Sequence, residues 1–302
     1  TVFSQLERQW TWIALTGKIN SNAIAATLFD FIFKTRDTFG QLRADMTNML
    51  AEKLLEKAVR EMSPVAQVVM DIIKRNLYER TADVSFLATD GEIISFLQGA
   101  SSDVAALRTR LAAYRAKYSV YRDILVLDTQ GRVCVQLDTH RPVHTSSDPL
   151  VAQTLAASEF VETFRPTDLS PDGRAALVYS HVIRAEGAAE PLGVLCLVFD
   201  MDGEVADLFA GMARFAQDMV ILLLDSRGEA FASSDTRLAP VSRSYARTPA
   251  DSFAVSAFGS STTLAVSRPS EGYQGYEGQP WQTHVLRPAQ SAFASRLTEE
   301  MD

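Results

Sequence analysis

Cysteine is nearly absent from this chain: among 302 residues there are two, Cys134 and Cys196. Each lies inside an apolar run, RVCVQLD and GVLCLVFD, which excludes a disulfide framework and a CxxC metal pattern and leaves buried thiols as the plain reading. Cations are in deficit too, with 29 Lys and Arg against 37 Asp and Glu and a formal net charge of -8. Nucleic acids and anionic lipid surfaces need clustered cations, so neither is an expected partner. Long apolar runs are also missing. Lys18, Asn20 and Asn22 interrupt the region after Trp12, and Asp218 and Asp225 bracket MVILLL, well short of the ~20 residues that cross a bilayer. The opening TVFSQLERQW has Glu7 and Arg8 where a signal peptide would be apolar. The chain starts without Met and stops in the helical pattern LTEEMD, so we take it as a piece of a longer protein, cytoplasmic or membrane-associated.

Catalytic signatures are absent as well. There is no Gly-x-Ser-x-Gly elbow, phosphate loop or GxGxxG, and the acidic residues form no recognisable acid and base pair. His140 and His144 stand four apart, but Pro142 lies between them in a loop, so helical metal spacing does not apply. No catalytic residue, metal or cofactor is expected.

What is present is a globular chain, 47% hydrophobic and 22% charged, long enough for two domains. Phe3 to Phe33 has a helical pattern, and from Gln41 to Ala88 apolar residues recur at three- and four-residue steps (Leu42, Met46, Met49, Leu54, Met62, Val69, Ile73), which predicts one long helix with a kink or break at Pro64. A shorter helix is predicted over Asp103 to Lys117. DILVLD (123 to 128), the turn Thr129-Gln130-Gly131 and a strand from Arg132 to Asp138 make a hairpin. Asp148 as N-cap and Pro149 at the first helical position open a helix, and strands follow over 176 to 183 and 192 to 200.

The hairpin then recurs. ILVLDTQGRVCVQLD (124 to 138) aligns without a gap to ILLLDSRGEAFASSD (221 to 235), so that Asp128, Gly131 and Asp138 answer to Asp225, Gly228 and Asp235. Strands are expected again at 253 to 258, 262 to 268 and 281 to 288, whereas 236 to 251 carries no clear helix. The fold class is therefore α+β, a long N-terminal helix followed by two similar units with antiparallel sheets.

Several pieces resemble the double Cache family of tandem PAS-like sensor modules, as found in methyl-accepting chemotaxis receptors and chemotaxis coupling proteins. RNLYERTADVSFLATD (75 to 90) is similar to the helix end that enters the distal module of that family, and SEGYQGYEGQPWQTHV (270 to 285) to its late hairpin. With the repeat, the resemblance covers about residues 41 to 290. It implies an N-terminal helical segment (1-40), a long helix (41-90), a distal ligand-binding module (91-205), a proximal module (206-290) and a connector helix (291-302).

The resemblance further implies a small-molecule-sensing input domain, with the ligand in the distal module. One amino-acid-binding subgroup holds the ligand carboxylate with Arg and Trp-Tyr in the helix after the hairpin; here that helix begins SSDPLVAQ and lacks the set, which makes an α-amino acid a less expected ligand. The subgroup's amine-binding Asp is matched by Asp200, and Tyr118, Tyr121, Arg122, Asp148, Thr163, Phe164, Arg165, Tyr179 and His181 are the other candidate contacts. Alternation in ALVYSHVI puts Tyr179 and His181 on one face, either a pocket wall or a solvent-facing row. Asp200 could equally initiate a turn, Arg165 could be an exposed loop residue, and Tyr273, Tyr276 and Trp281 suit packing across a hairpin. Expected partners are a small ligand (amino acid, carboxylate, amine or purine), a second copy bound through the N-terminal helices, and a downstream signalling domain. The alternatives are a docking module with degenerate Cache units and, less well supported, a hydrolase.

Overall fold

A computed structural model describes residues 9, 12, 25–249, 252–258 and 261–294. The chain divides into two compact units, residues 1–60 with 295–302, and residues 61–294. Helix α1 (Ala25–Leu87) continues through Pro64, so the expected break there does not occur. Most of the segment expected as helix from Phe3 to Phe33, and the connector beyond 294, lie outside the described residues. Among the described residues, no helix is long and apolar enough to cross a membrane.

After α1 come α2 (Gly91–Leu97) and α3 (Val104–Lys117), each begun by an aspartate that accepts backbone N–H groups, Asp90 and Asp103. The distal sheet is built from β1 (Tyr121–Asp128), β2 (Val133–Gln136), β3 (Val161–Arg165), β4 (Ala176–Arg184) and β5 (Pro191–Phe199), with α4 (Pro149–Ala156) between β2 and β3. Helix α5 (Met201–Met212) leads to the proximal sheet, β6 (Val220–Leu224), β7 (Ala230–Ser233), β8 (Ala254–Phe258), β9 (Ser261–Pro269) and β10 (Gln282–Pro288), and α6 (Ala289–Ala294) follows. The strand orders are β2-β1-β5-β4-β3 and β7-β6-β10-β9-β8, one arrangement used twice, with every pair antiparallel.

The repeat read from the sequence extends to single hydrogen bonds. Leu125, Val126 and Leu127 pair with Gln136, Val135 and Val133; Leu222, Leu223 and Leu224 pair with Ser233, Ala232 and Ala230, with the same slip before the last pair. Asp128 accepts from the amides of Gln130 and Arg132, and Asp225 from those of Arg227 and Glu229. Gly131 and Gly228 close the turns at φ of 79° and 82°. No helix forms over 236–249 in the proximal unit, as its composition suggested.

The distal sheet has two covered faces. In the distal module Leu125, Leu127, Val178, Cys196 and Val198 pack beneath Leu150 and Val151 of α4 and Leu169 of the following loop. The opposite face, with Ile124, Val126, Leu177, Leu195 and Leu197 all fully buried, is turned toward α1 and α2. Tyr121 donates to Asp83 of α1 and Tyr179 reaches the Leu77 carbonyl there. Proximally, Leu222, Leu224, Ala265 and Leu286 form the core with Ala239 and Tyr245. His284 is buried on β10 beside Ser267 Oγ at 2.8 Å, and burial drives its pKa down to about 4.

The turn glycines give a stability test. A Cβ at Gly131 would stand 2.5 Å from the Ser146 carbonyl oxygen, whereas one at Gly187, also at positive φ, would meet nothing within 4 Å. Gly131→Ala is expected to lower unfolding free energy by about 2 to 4 kcal/mol and Gly187→Ala by about 1 kcal/mol, strain and clash adding in the first case only. Urea denaturation of the two variants checks the difference.

Candidate ligand-binding site

Strand alternation sorts those of the ten candidate residues that lie on strands onto two faces of the distal sheet, and Tyr118, Asp148 and Asp200 sit at helix ends. On the α4 face, Asp148 N-caps α4 through Leu150 N and also holds Arg165 of β3 with two hydrogen bonds, 2.8 and 2.5 Å long, and the Thr167 hydroxyl at 2.5 Å. The Asp148 side chain is 3% exposed and that of Arg165 39%. Burial by itself would raise the Asp148 carboxyl, but the bonds from Arg165 and Thr167 outweigh it and hold the group below the usual carboxylate range. Thr163 lies on β3 opposite Val178, two residues before Arg165 and on the same face.

Arg122 occupies a bulge of β1, where pairing slips from Tyr121↔Phe199 to Asp123↔Val198. Its guanidinium bonds Asp172 at 2.9 Å and the Ser170 hydroxyl. Next to it Asp123 is buried, taking hydrogen bonds from Gln136 and from the amides of Ile124, Leu137 and Asp138, with its pKa raised by that burial. Asp168 binds Ser146 and Ser147 across the loop. These groups make a polar arc around the α4 end of the sheet. Beneath α4 itself the space is filled, since Leu150, Leu169, Val178 and Val198 are at most 1% exposed.

The other candidates point elsewhere. Tyr179 and His181 do share a face, but it is the α1 face, because Val178 and Ser180 are the residues turned toward α4, Ser180 meeting Thr154 Oγ1 at 2.6 Å. Tyr121 is also turned to α1 by the bulge at Arg122 and packs edge-on against Phe199. Tyr118 ends α3 beneath the Arg80 guanidinium, 5.1 Å from its ring centre. Phe164 faces the proximal module, 4.8 Å from both Phe231 and Trp281. Asp200 caps α5 through Gly203 N, so the turn reading was close: a helix starts there, hidden in the sequence by Gly203 and Gly211.

The group that sequence reasoning missed is Glu162. Both its oxygens are used by the proximal module, one by Tyr276 Oη and one by Gln279 Nε2, each at 2.7 Å. Tyr276 spends its only proton there, so Tyr179 is the donor in the 2.5 Å contact between the two hydroxyls, and its 3.3 Å approach to the Leu77 carbonyl is at most a minor branch of the same proton. Burial, followed by the nearby Glu162 charge, raises the pKa of both phenols, which keeps them neutral donors. Tyr78 of α1 packs edge-on against Tyr273, whose backbone pairs with Tyr276 across the turn. A lone Glu in VETFR gives no sequence signal for this latch.

No protein-family profile matches the chain, and no curated protein is significantly similar in sequence. Solved structures are similar in fold. The sensor domain of the V. cholerae histidine kinase DctB superposes with a TM-score of 0.59 at 15% identity, covering 77% of this chain and 98% of that one. The ligand-binding domain of the Campylobacter jejuni chemoreceptor Tlp3, in complex with L-valine, gives 0.56 at 12% identity, covering 80% and 97%. That of the Pseudomonas fluorescens chemoreceptor CtaA, in complex with L-serine, gives 0.53 at 13%, covering 78% and 99%. The first is a sensor domain and the other two are ligand-binding domains of chemoreceptors, and the fold they share with this chain is the double Cache fold.

The latch is tested by a double-mutant cycle. Tyr276→Phe should cost about 1 to 3 kcal/mol by stranding Glu162 and the Tyr179 hydroxyl. Paired with Glu162→Ala it should show a coupling of about 1 kcal/mol or more, where additive losses would mean that the modules merely touch.

Proposed function

We propose that this chain is the small-molecule-sensing input domain of a bacterial signal-transduction protein of the chemotaxis type, with the ligand taken up in the distal module. The observation that carries the reading is the Asp148–Arg165 pair: an almost covered carboxylate and a half-open guanidinium, set where α4 meets β3. An incoming carboxylate can replace Asp148 on Arg165, and an incoming amine can replace Arg165 on Asp148, so the pair keeps the site satisfied until a ligand of the amino acid, carboxylate, amine or purine class arrives. Arg122 and Thr163 border the same arc and complete the proposed contacts. The likeness to chemoreceptor domains crystallised with L-valine and L-serine supports a small-molecule ligand, although the helix after the hairpin lacks the amino-acid-binding set.

Because the face beneath α4 is filled, binding has to part the pair and shift the loop that carries Leu169. A ligand then moves the equilibrium by the difference in its affinity for the closed and parted arrangements. Strand β3 carries Arg165 on one face and the latch residue Glu162 on the other, so the shift is felt in the proximal module and beyond it in a downstream signalling domain. The filled face also favours a second reading, a docking module that no longer binds ligand.

Thermal-shift screening of the purified chain against those four classes separates the two. The sensor reading expects a ligand that raises the melting temperature, an effect abolished by Arg165→Ala in a variant that still unfolds cooperatively. If no compound stabilises the chain, the docking reading stands.

The partner copy is proposed to bind along α1. Phe39, Leu42, Met46 and Met49 are spaced three, four and three apart and are between 52% and 63% exposed, a seam suited to a second helix. Sedimentation equilibrium should show a dimer that Leu42→Glu with Met46→Glu converts to monomer, and a monomeric starting protein would refute the seam.

A further inference from the structure

A second cavity lies on the α1 side of the distal sheet, away from the Asp148–Arg165 arc. It holds about 300 Å³ between α1, the junction of α3 with β1, and the first turns of α5. Its walls are the rings of Tyr118 and Phe199 and the aliphatic side chains of Leu77, Val205 and Leu208. That volume is at the lower bound for a metabolite pocket.

The charges around it are unbalanced. Arg80 is committed to Asp83 at 2.9 Å, with Glu79 at 3.7 Å, and lies over the Tyr118 ring. Lys117 stands exposed at the rim. Against these two cations are five carboxylates, those two together with Glu204 on the wall and Asp200 and Asp207 close to it. Among the described residues the Glu204 carboxylate has no hydrogen-bond or ion-pair partner, although the residue is half-buried. Burial, then repulsion by Asp207 and Asp200, raises its pKa against a smaller pull from the Arg80 guanidinium, which is already committed to Asp83. An unpaired, partly desolvated carboxylate among like charges is stabilised by a cation that enters beside it.

We propose that this cavity is a second binding site, for a small organic ammonium compound whose nitrogen bonds Glu204 and whose apolar body lies against Tyr118 and Phe199. An aromatic wall suits the body of such a compound and the edge of its charge alike. The site touches α1, the end of the distal sheet and the start of α5, so an occupant stiffens the junction between the modules. It stands independently of the ligand proposed for the Asp148–Arg165 arc.

Isothermal titration calorimetry of the whole chain with phenethylamine and isobutylamine tests it, with 3-phenylpropionate as the anionic control. Saturable binding of at least one amine and none of the anion is expected, weakened at least about tenfold by Glu204→Gln. Leu208→Trp, which fills the cavity, should abolish binding; binding that survives it belongs to Asp148 and overturns the proposal. Glu204→Gln keeps the shape of a side chain that has no partner to lose, so folding does not confound that arm. Failure of both amines to bind at millimolar concentration, or binding that Glu204→Gln leaves intact, overturns the proposal.

Discussion

Five strands in the order β2-β1-β5-β4-β3 give the distal sheet two apolar faces, and both are covered, one by α4 and Leu169 and the other by α1 and α2. Side chains alternate along a strand, so this double covering decides what each residue of the module can do. Asp148, Thr163 and Arg165 belong to the α4 face, where we propose that the ligand enters. Tyr179, His181 and Tyr121 belong to the face that α1 closes. The bulge at Arg122 adds a residue, turning Tyr121 inward to Asp83 while Asp123 keeps to the α4 side.

The same constraint couples the modules. Strand β3 is the edge of the distal sheet, and one of its faces is left over once α4 has covered the other. Glu162 and Phe164 project from that face, and the proximal module supplies what they need: donors from Tyr276 and Gln279 for the carboxylate, and the rings of Phe231 and Trp281 for the phenyl group. A half-buried carboxylate with both oxygens bonded is costly to pull apart. A movement of β3 therefore cannot stay local.

Much of the fold was legible because the repeat is dense in turn chemistry. An aspartate, a glycine at positive φ and a strand on either side define the hairpin in ILVLDTQGRVCVQLD and again in ILLLDSRGEAFASSD, down to the shared slip in register. At Pro64 the break that was one of the two readings does not form, since a proline inside a helix removes one hydrogen bond but does not oblige the helix to end. The site was only half legible. Alternation correctly placed Tyr179 with His181, but in a sheet buried on both sides it cannot say which cover each face meets. Glu162 was invisible because its partners lie more than 100 residues away, at 114 and 117 positions along the chain. Tyr273 and Tyr276 were read as hairpin packing, and they do pair across their turn, yet Tyr276 also reaches Tyr179 and Glu162.

Helix α1 and the β3 latch bind the two sheets into one cooperative body. Native-state hydrogen exchange in increasing denaturant measures this directly. Amides of β4 and β5 and those of β9 and β10 are predicted to exchange through a common opening, with one free energy and one denaturant slope. A proximal sheet that opens well before the distal one, and leaves distal protection unchanged, would contradict the account.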